Sequence, residues 1–155
     1  MEYKYLSNSY EETERLGRAA AGHLKNGIIA LSGELGAGKT AFIRGIARGL
    51  GYTGRVTSPT FSLVNEYLSD DGRPLLYHFD LFRIKAEELM EIGWCDYIES
   101  GVPCAVEWAE IAGDELPPDA VRVEIGVLGE NSREITIAGL DKINLGNCGN
   151  GDTCV

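Results

Sequence analysis

At 155 residues, with 44% hydrophobic and 25% charged side chains, the chain has the size and composition of one globular domain with a buried core, which excludes a fibrous or wholly disordered protein. No apolar run reaches the length of a membrane span, and Met1-Glu2-Tyr3-Lys4-Tyr5 lacks the charged-then-apolar design of a signal peptide, so the expected compartment is the cytoplasm, with no membrane partner. The 14 lysines and arginines against 24 aspartates and glutamates give a formal charge of −10, a surface that repels a phosphate backbone; no direct DNA binding is expected, and any RNA would be held by a partner.

In chain order, residues 3–6 read as an edge strand. Ser7-Asn8-Ser9 offers an N-cap to a first helix of roughly four turns, with Glu11 and Glu12 in its first turn and Leu16, Ala19, Ala20, His23 and Leu24 on one face. Asn26-Gly27 turns into Ile28-Ile29-Ala30-Leu31, a short buried strand. Next comes Gly33-Glu34-Leu35-Gly36-Ala37-Gly38-Lys39-Thr40, and then a helix over residues 41–50 that Gly51 is placed to end. Pro59 predicts a bend before a strand over residues 62–68, and the turn residues 69–74 return the chain as a second strand over 75–79, a β-hairpin inserted after the crossover helix. Short helices over 86–93 and 94–99 precede an apolar run, 102–106, that stops at Glu107. Residues 120–127 and 133–138 alternate as a terminal hairpin. The fold class expected is α/β, a P-loop NTPase-like three-layer fold with a central, mostly parallel sheet. One domain is expected over residues 1–140; residues 141–155, glycine-rich and polar, are expected to be a disordered tail. Cys95, Cys104, Cys148 and Cys154 show no pair at zinc-ligand or redox-motif spacing and read as reduced thiols, Cys104 as a buried apolar filler.

The segment 33–40 fits the pattern of a glycine, four residues, then Gly-Lys-Ser/Thr, between a strand and a helix as that motif requires. Glycines let the backbone aim several N–H groups into one hollow, and the following helix adds its positive end, so the hollow suits an anion. Lys39 would reach the β- and γ-phosphates of a nucleoside triphosphate, and the Thr40 hydroxyl would take one position on Mg²⁺. The plain alternative is a glycine-rich turn with a solvated lysine.

Such a site needs an acid at the end of a neighbouring strand, to hold a metal-bound water beside the γ-phosphate. Asp80 and Glu107 compete. Glu107 ends a strand able to join the central sheet and takes the metal role; Asp80, at the end of the inserted hairpin, suits a water-positioning or catalytic role. The alternative for each is a solvated strand-end carboxylate. Thr60 reads equally as a γ-phosphate sensor in a proline-stiffened bend or as a plain turn residue. Arg44, Arg48, Arg55 and Arg83 are candidate cations, and His78 and Trp108, which flank the acids, read as packing residues.

Gly-Glu-Leu-Gly-Ala-Gly-Lys-Thr at 33–40 with Phe42 and Arg44-Gly45, then Thr57-Ser58-Pro59-Thr60-Phe61, then His78-Phe79-Asp80-Leu81-Phe82-Arg83, then Val106-Glu107-Trp108, together resemble the TsaE family (formerly YjeE), ATPases of bacterial tRNA threonylcarbamoyladenosine biosynthesis. The blocks stand in the family's order, and the resemblance covers roughly residues 11–138. It implies an ATPase using ATP and Mg²⁺, weak alone, that joins the TsaB–TsaD pair and supports its turnover. In that pathway TsaC makes the threonylcarbamoyl-adenylate and TsaD transfers the group to tRNA. Carried across, the backbone of Leu35, Gly36, Ala37, Gly38, Lys39 and Thr40 holds phosphates, Thr40 and Glu107 hold Mg²⁺, Asp80 is needed for hydrolysis, and Trp108 lies at the site. The resemblance places adenine near Tyr10 and Ser132-Arg133. The chain departs at Ala41, where the family usually has a second threonine, which implies one α-phosphate contact fewer.

Two other classes remain open on the residues alone. A small-molecule P-loop kinase would need an arginine-rich lid, and none is visible after Glu107. A nucleotide-dependent binding switch would form complexes without meaningful turnover. A guanine-reading Asn/Thr-Lys-x-Asp segment is absent, so ATP is preferred to GTP.

Overall fold

The computed structural model describes residues 1–24, 27–59 and 61–141. Its elements are β1 (Glu2–Ser7), α1 (Tyr10–Ala21), β2 (Ile28–Ser32), α2 (Lys39–Gly49), β3 (Val64–Leu68), β4 (Pro74–Asp80), a 3-10 helix (Ala86–Ile92), α3 (Trp94–Ile98), β5 (Cys104–Glu107), two 3-10 turns (Ala109–Ile111 and Gly113–Glu115), β6 (Val121–Val127) and β7 (Arg133–Ala138). Of the expected tail, 141–155, residues 142–155 lie outside the described residues, as do Asn26 and Thr60.

The strands form one seven-stranded sheet in the order β1-β7-β6-β2-β5-β4-β3. The centre is parallel: β2 lies between β6 and β5, and β5 pairs parallel with β4. Antiparallel pairs close each side, β3 on β4 and the ribbon β6-β7-β1. The hairpin read as an insertion is therefore half inside the central sheet, because β4 is also its outermost parallel strand.

Both faces of β2 are apolar, as a strand covered on two sides must be. Ile29 and Leu31 join Leu16, Phe42, Ile43 and Ile46 beneath the two long helices. Ile28 and Ala30 join Phe79, Leu89, Trp94 and Val106 beneath α3 and the 3-10 segments. The result is three layers.

Local chemistry sets the helix ends. Ser9, extended at φ −158°, accepts the Glu12 N–H at 3.1 Å, and Glu12 in turn accepts the Asn8 N–H at 2.7 Å, a capping-box exchange shifted by one residue. α1 ends at Ala21, short of the four turns expected, with Gly22 as its C-cap. α2 ends as expected: Gly51 turns left-handed at φ 98°, its N–H donates to Arg48 O at 3.1 Å, and the Tyr52 N–H donates to Ala47 O at 2.9 Å. Among the described residues no helix is long and apolar enough to cross a membrane.

Candidate functional site

The loop from β2 to α2 owes its shape to its glycines. Gly33, Gly36 and Gly38 have φ of 145°, 79° and 110°, values that residues with a Cβ rarely adopt. Turns of this kind gather consecutive N–H groups into a hollow for an anion, and here the hollow opens at the start of α2, with Lys39 and Thr40 as the helix's first residues.

Lys39 is buried, with its Nζ donating to the carbonyls of Gly33 and, at 3.3 Å, Glu34, and standing 4.2 Å from the centre of the Trp108 ring. Burial lowers its pKa from the ordinary value, against the opposing pull of Glu107, Glu110 and Asp80. Trp108 holds this position through a left-handed backbone, φ 56°, a strained conformation for a residue of its size. Its ring leans on Phe82 at 4.9 Å between centroids.

Asp80 and Glu107 end neighbouring parallel strands and are register partners, so both carboxyls stand at the carboxyl end of the sheet beside the loop. Thr40 Oγ1 donates to Glu107 Oε1 at 3.1 Å. Ser58 Oγ donates to Asp80 Oδ2 at 2.9 Å and lies 3.4 Å from Glu107 Oε2, and the Phe82 N–H donates to Asp80 Oδ1 at 3.0 Å. Burial pushes the Glu107 carboxyl upward, but the His78 hydrogen bond and charge, the Thr40 hydroxyl and Lys39 together outweigh it and hold the group below its usual range. Among the described residues no three His, Cys, Asp or Glu side chains are grouped to hold a metal. A cation between Thr40 and Glu107 would take most of its ligands from phosphate and water, the habit of Mg²⁺.

These groups share one cleft of about 490 Å³. Of the residues singled out by sequence, Tyr10, Leu35, Gly36, Ala37, Gly38, Lys39, Thr40, Asp80, Glu107 and Trp108 all line it. Tyr10, Ala37 and Gly38 also border a shallow neighbouring hollow of about 40 Å³ together with Arg133. The Arg133 guanidinium is directed at backbone carbonyls, Ala37 at 2.9 Å and Gly36 at 3.4 Å on the loop, Gly129 at 2.8 Å and Ser132 at 3.0 Å on the hairpin. Ser132 lines neither hollow, and its hydroxyl donates to Asn8 Oδ1 at 3.4 Å. Thr60 lies outside the described residues.

Of the arginines, Arg44 and Arg83 line the cleft. Arg48 instead donates to the carbonyls of Tyr52 and Gly54, at 2.9 and 2.6 Å, and braces the turn after α2. Sequence reasoning passed over Ser58, and it took His78 for a packing residue although its Nε2 is 2.9 Å from Glu107 Oε2. A usable signal existed: His78 and Asp80 are two apart on one strand and so share a face.

The geometry can be set beside known proteins. The chain is 39% identical over 134 residues to the tRNA threonylcarbamoyladenosine biosynthesis protein TsaE of Bacillus subtilis (strain 168), covering 86% of this chain and 83% of that one. It is 38% identical over 135 residues to the protein of the same name from Treponema pallidum (strain Nichols), covering 86% and 98%. The crystal structure of Bacillus subtilis YdiB superposes with a TM-score of 0.73 at 35% identity, over 88% of this chain and 84% of that one. Residues 7–135 match the model of the family described as threonylcarbamoyl adenosine biosynthesis protein TsaE, and with relatives of this identity aligned over most of both chains, the chain belongs to the TsaE family.

Proposed function

We propose that this chain is a Mg²⁺-dependent ATP hydrolase whose turnover sustains the TsaB–TsaD pair in tRNA N6-threonylcarbamoyladenosine formation, the tRNA being held by that pair. One observation carries the reading: a glycine-shaped loop, its lysine and threonine, and two adjacent strand-end carboxylates meet in one cleft, with Thr40 hydrogen-bonded to Glu107.

In this reading the backbone of residues 35–40 binds the phosphates, and Lys39 exchanges the carbonyls of Gly33 and Glu34 for β- and γ-phosphate oxygens. Thr40 and Glu107 hold Mg²⁺, which when bound offsets phosphate charge. Asp80, fixed by Ser58 and the Phe82 N–H, orients the attacking water. The water oxygen bonds to the γ-phosphorus as the bond to the bridging oxygen breaks. ADP leaves with that electron pair, and the water's proton passes to the phosphate product or solvent. Trp108 shields Lys39 from water and keeps its charge effective. Tyr10 and the Ser132-Arg133 corner border the adenine side, Thr60 is the γ-phosphate sensor, and Ala41 supplies no hydroxyl to the α-phosphate.

The test is tRNA threonylcarbamoylation over many turnovers with purified TsaB, TsaC and TsaD, with the chain omitted, present, or carrying Glu107→Ala. Sustained turnover with wild type alone is expected. Equal turnover in all three removes the reading.

A further inference from the structure

Behind Glu107 runs a buried polar chain that hydrolysis as described leaves unused. His78 is fully buried; its Nε2 stands 2.9 Å from Glu107 Oε2 and its Nδ1 2.9 Å from the Tyr67 hydroxyl. That hydroxyl also lies 3.1 Å from the Thr57 carbonyl, to which Asn65 Nδ2 donates at 2.9 Å. Thr57 precedes Ser58, the hydrogen-bond donor to Asp80.

Counting donors places a proton on the ring nitrogen that faces Glu107. An ionised carboxylate only accepts. Glu107 Oε1 takes the Thr40 proton, and Oε2 requires a proton on His78 Nε2. The Tyr67 hydroxyl holds the far side of the ring at Nδ1 and bridges it to the Thr57 carbonyl, which also accepts from Asn65. A ring with no proton on Nε2 would set a nitrogen lone pair against a carboxylate oxygen where no water reaches.

We propose that Tyr67 and His78 are positioning residues: a hydrogen-bond chain through Tyr67, His78 and Glu107 turns Oε1 toward Thr40 and ties that orientation to the Thr57-Ser58 segment supporting Asp80. The inference rests on the reading of Glu107 as the metal-side acid. Partners of this kind behind a metal ligand contribute about 10- to 100-fold to metal affinity.

The first arm reads ¹⁵N chemical shifts of His78 in the ligand-free protein. Expected is a protonated Nε2, with the Nδ1 resonance displaced in Tyr67→Phe, which preserves ring volume and removes the hydroxyl. The second arm reads the Mg²⁺ concentration for half-maximal ATP hydrolysis, with ATP affinity in chelator as the control. Tyr67→Phe and His78→Leu should raise the Mg²⁺ requirement about 10-fold. His78→Gln, whose amide N–H replaces the Nε2 donor, should restore most of it, and affinity in chelator should not move. An unprotonated His78 Nε2, or equal Mg²⁺ requirements for Gln and Leu, overturns the proposal. Absence of Mg²⁺-dependent hydrolysis in the wild type would instead remove the functional reading, while the ¹⁵N result still decides the hydrogen-bond chain.

Discussion

Arg133 joins two segments distant in sequence by donating to carbonyls on both, the loop between β2 and α2 at Gly36 and Ala37 and the hairpin at Gly129 and Ser132. A lysine keeps the charge but offers one point where the guanidinium offers a planar fork. Arg133→Lys should therefore weaken nucleotide binding about 10-fold, the loss of one or two charge-assisted hydrogen bonds, with little change in the rate at saturation; calorimetric titration beside steady-state kinetics checks it. Cys104 gives a second prediction at this scale. Burial lifts its thiol from 9.0 to about 12, so the folded protein keeps a proton that the unfolded chain loses. The associated stability is present below pH 9 and disappears as pH climbs toward 12. Between pH 9 and 10.5 the wild type should lose roughly 1.5 kcal/mol more than Cys104→Ala, measured by denaturant titration at each pH.

Among the elements, the crossing of α1 and α2 sets the mouth of the cleft, because α1 carries Tyr10 and α2 begins at Lys39. The helices meet backbone to backbone through glycines: a Cβ on Gly45 would fall 1.9 Å from Glu14 O, and one on Gly17 2.1 Å from Phe42 O. Gly45→Ala should destabilise by about 3 kcal/mol or more, since neither backbone can yield without moving a whole helix. Gly22→Ala is the control. Its nearest contact would be 3.6 Å away at φ −66°, and it should be neutral or stabilise by about 0.5 kcal/mol. Thermal melts of the two variants separate close packing from the general cost of replacing glycine. In sequence these glycines look like weak points in a helix, because the helix they meet is remote in the chain. β7 was legible to the residue, as an alternating strand after a turn, and Asp80 and Glu107 were legible as acids ending apolar runs. That β4 pairs with β5 as well as β3 was not, since a hairpin is marked by its turn and a parallel neighbour leaves only a buried face on each side of the strand. Ser58, Tyr67 and His78 escaped for a similar reason: their partners come from other strands, and periodicity alone makes a buried tyrosine and histidine look like core.

For the molecule as a whole, Lys39, Thr40, Asp80 and Glu107 stand at one end of the parallel strands, where the chain direction delivers strand-end carboxylates and a helix N-terminus together. Lys39, Arg44 and Arg83 line that cleft, on a chain that otherwise carries an excess of acid, −10 overall. This distribution suits a small polyphosphate and opposes a long one, because affinity for a nucleic acid depends on many basic groups displacing counterions along the backbone. The chain alone should therefore fail to shift tRNA mobility at about 10 µM protein in roughly 0.15 M salt, and lowering salt to about 0.05 M should not create binding. Mg-ATP under the same conditions should bind and should compete with other small phosphate compounds. Retention of tRNA at micromolar protein, with an affinity falling steeply in salt, would mean that a basic track exists on this surface and that the chain itself holds the substrate of its pathway.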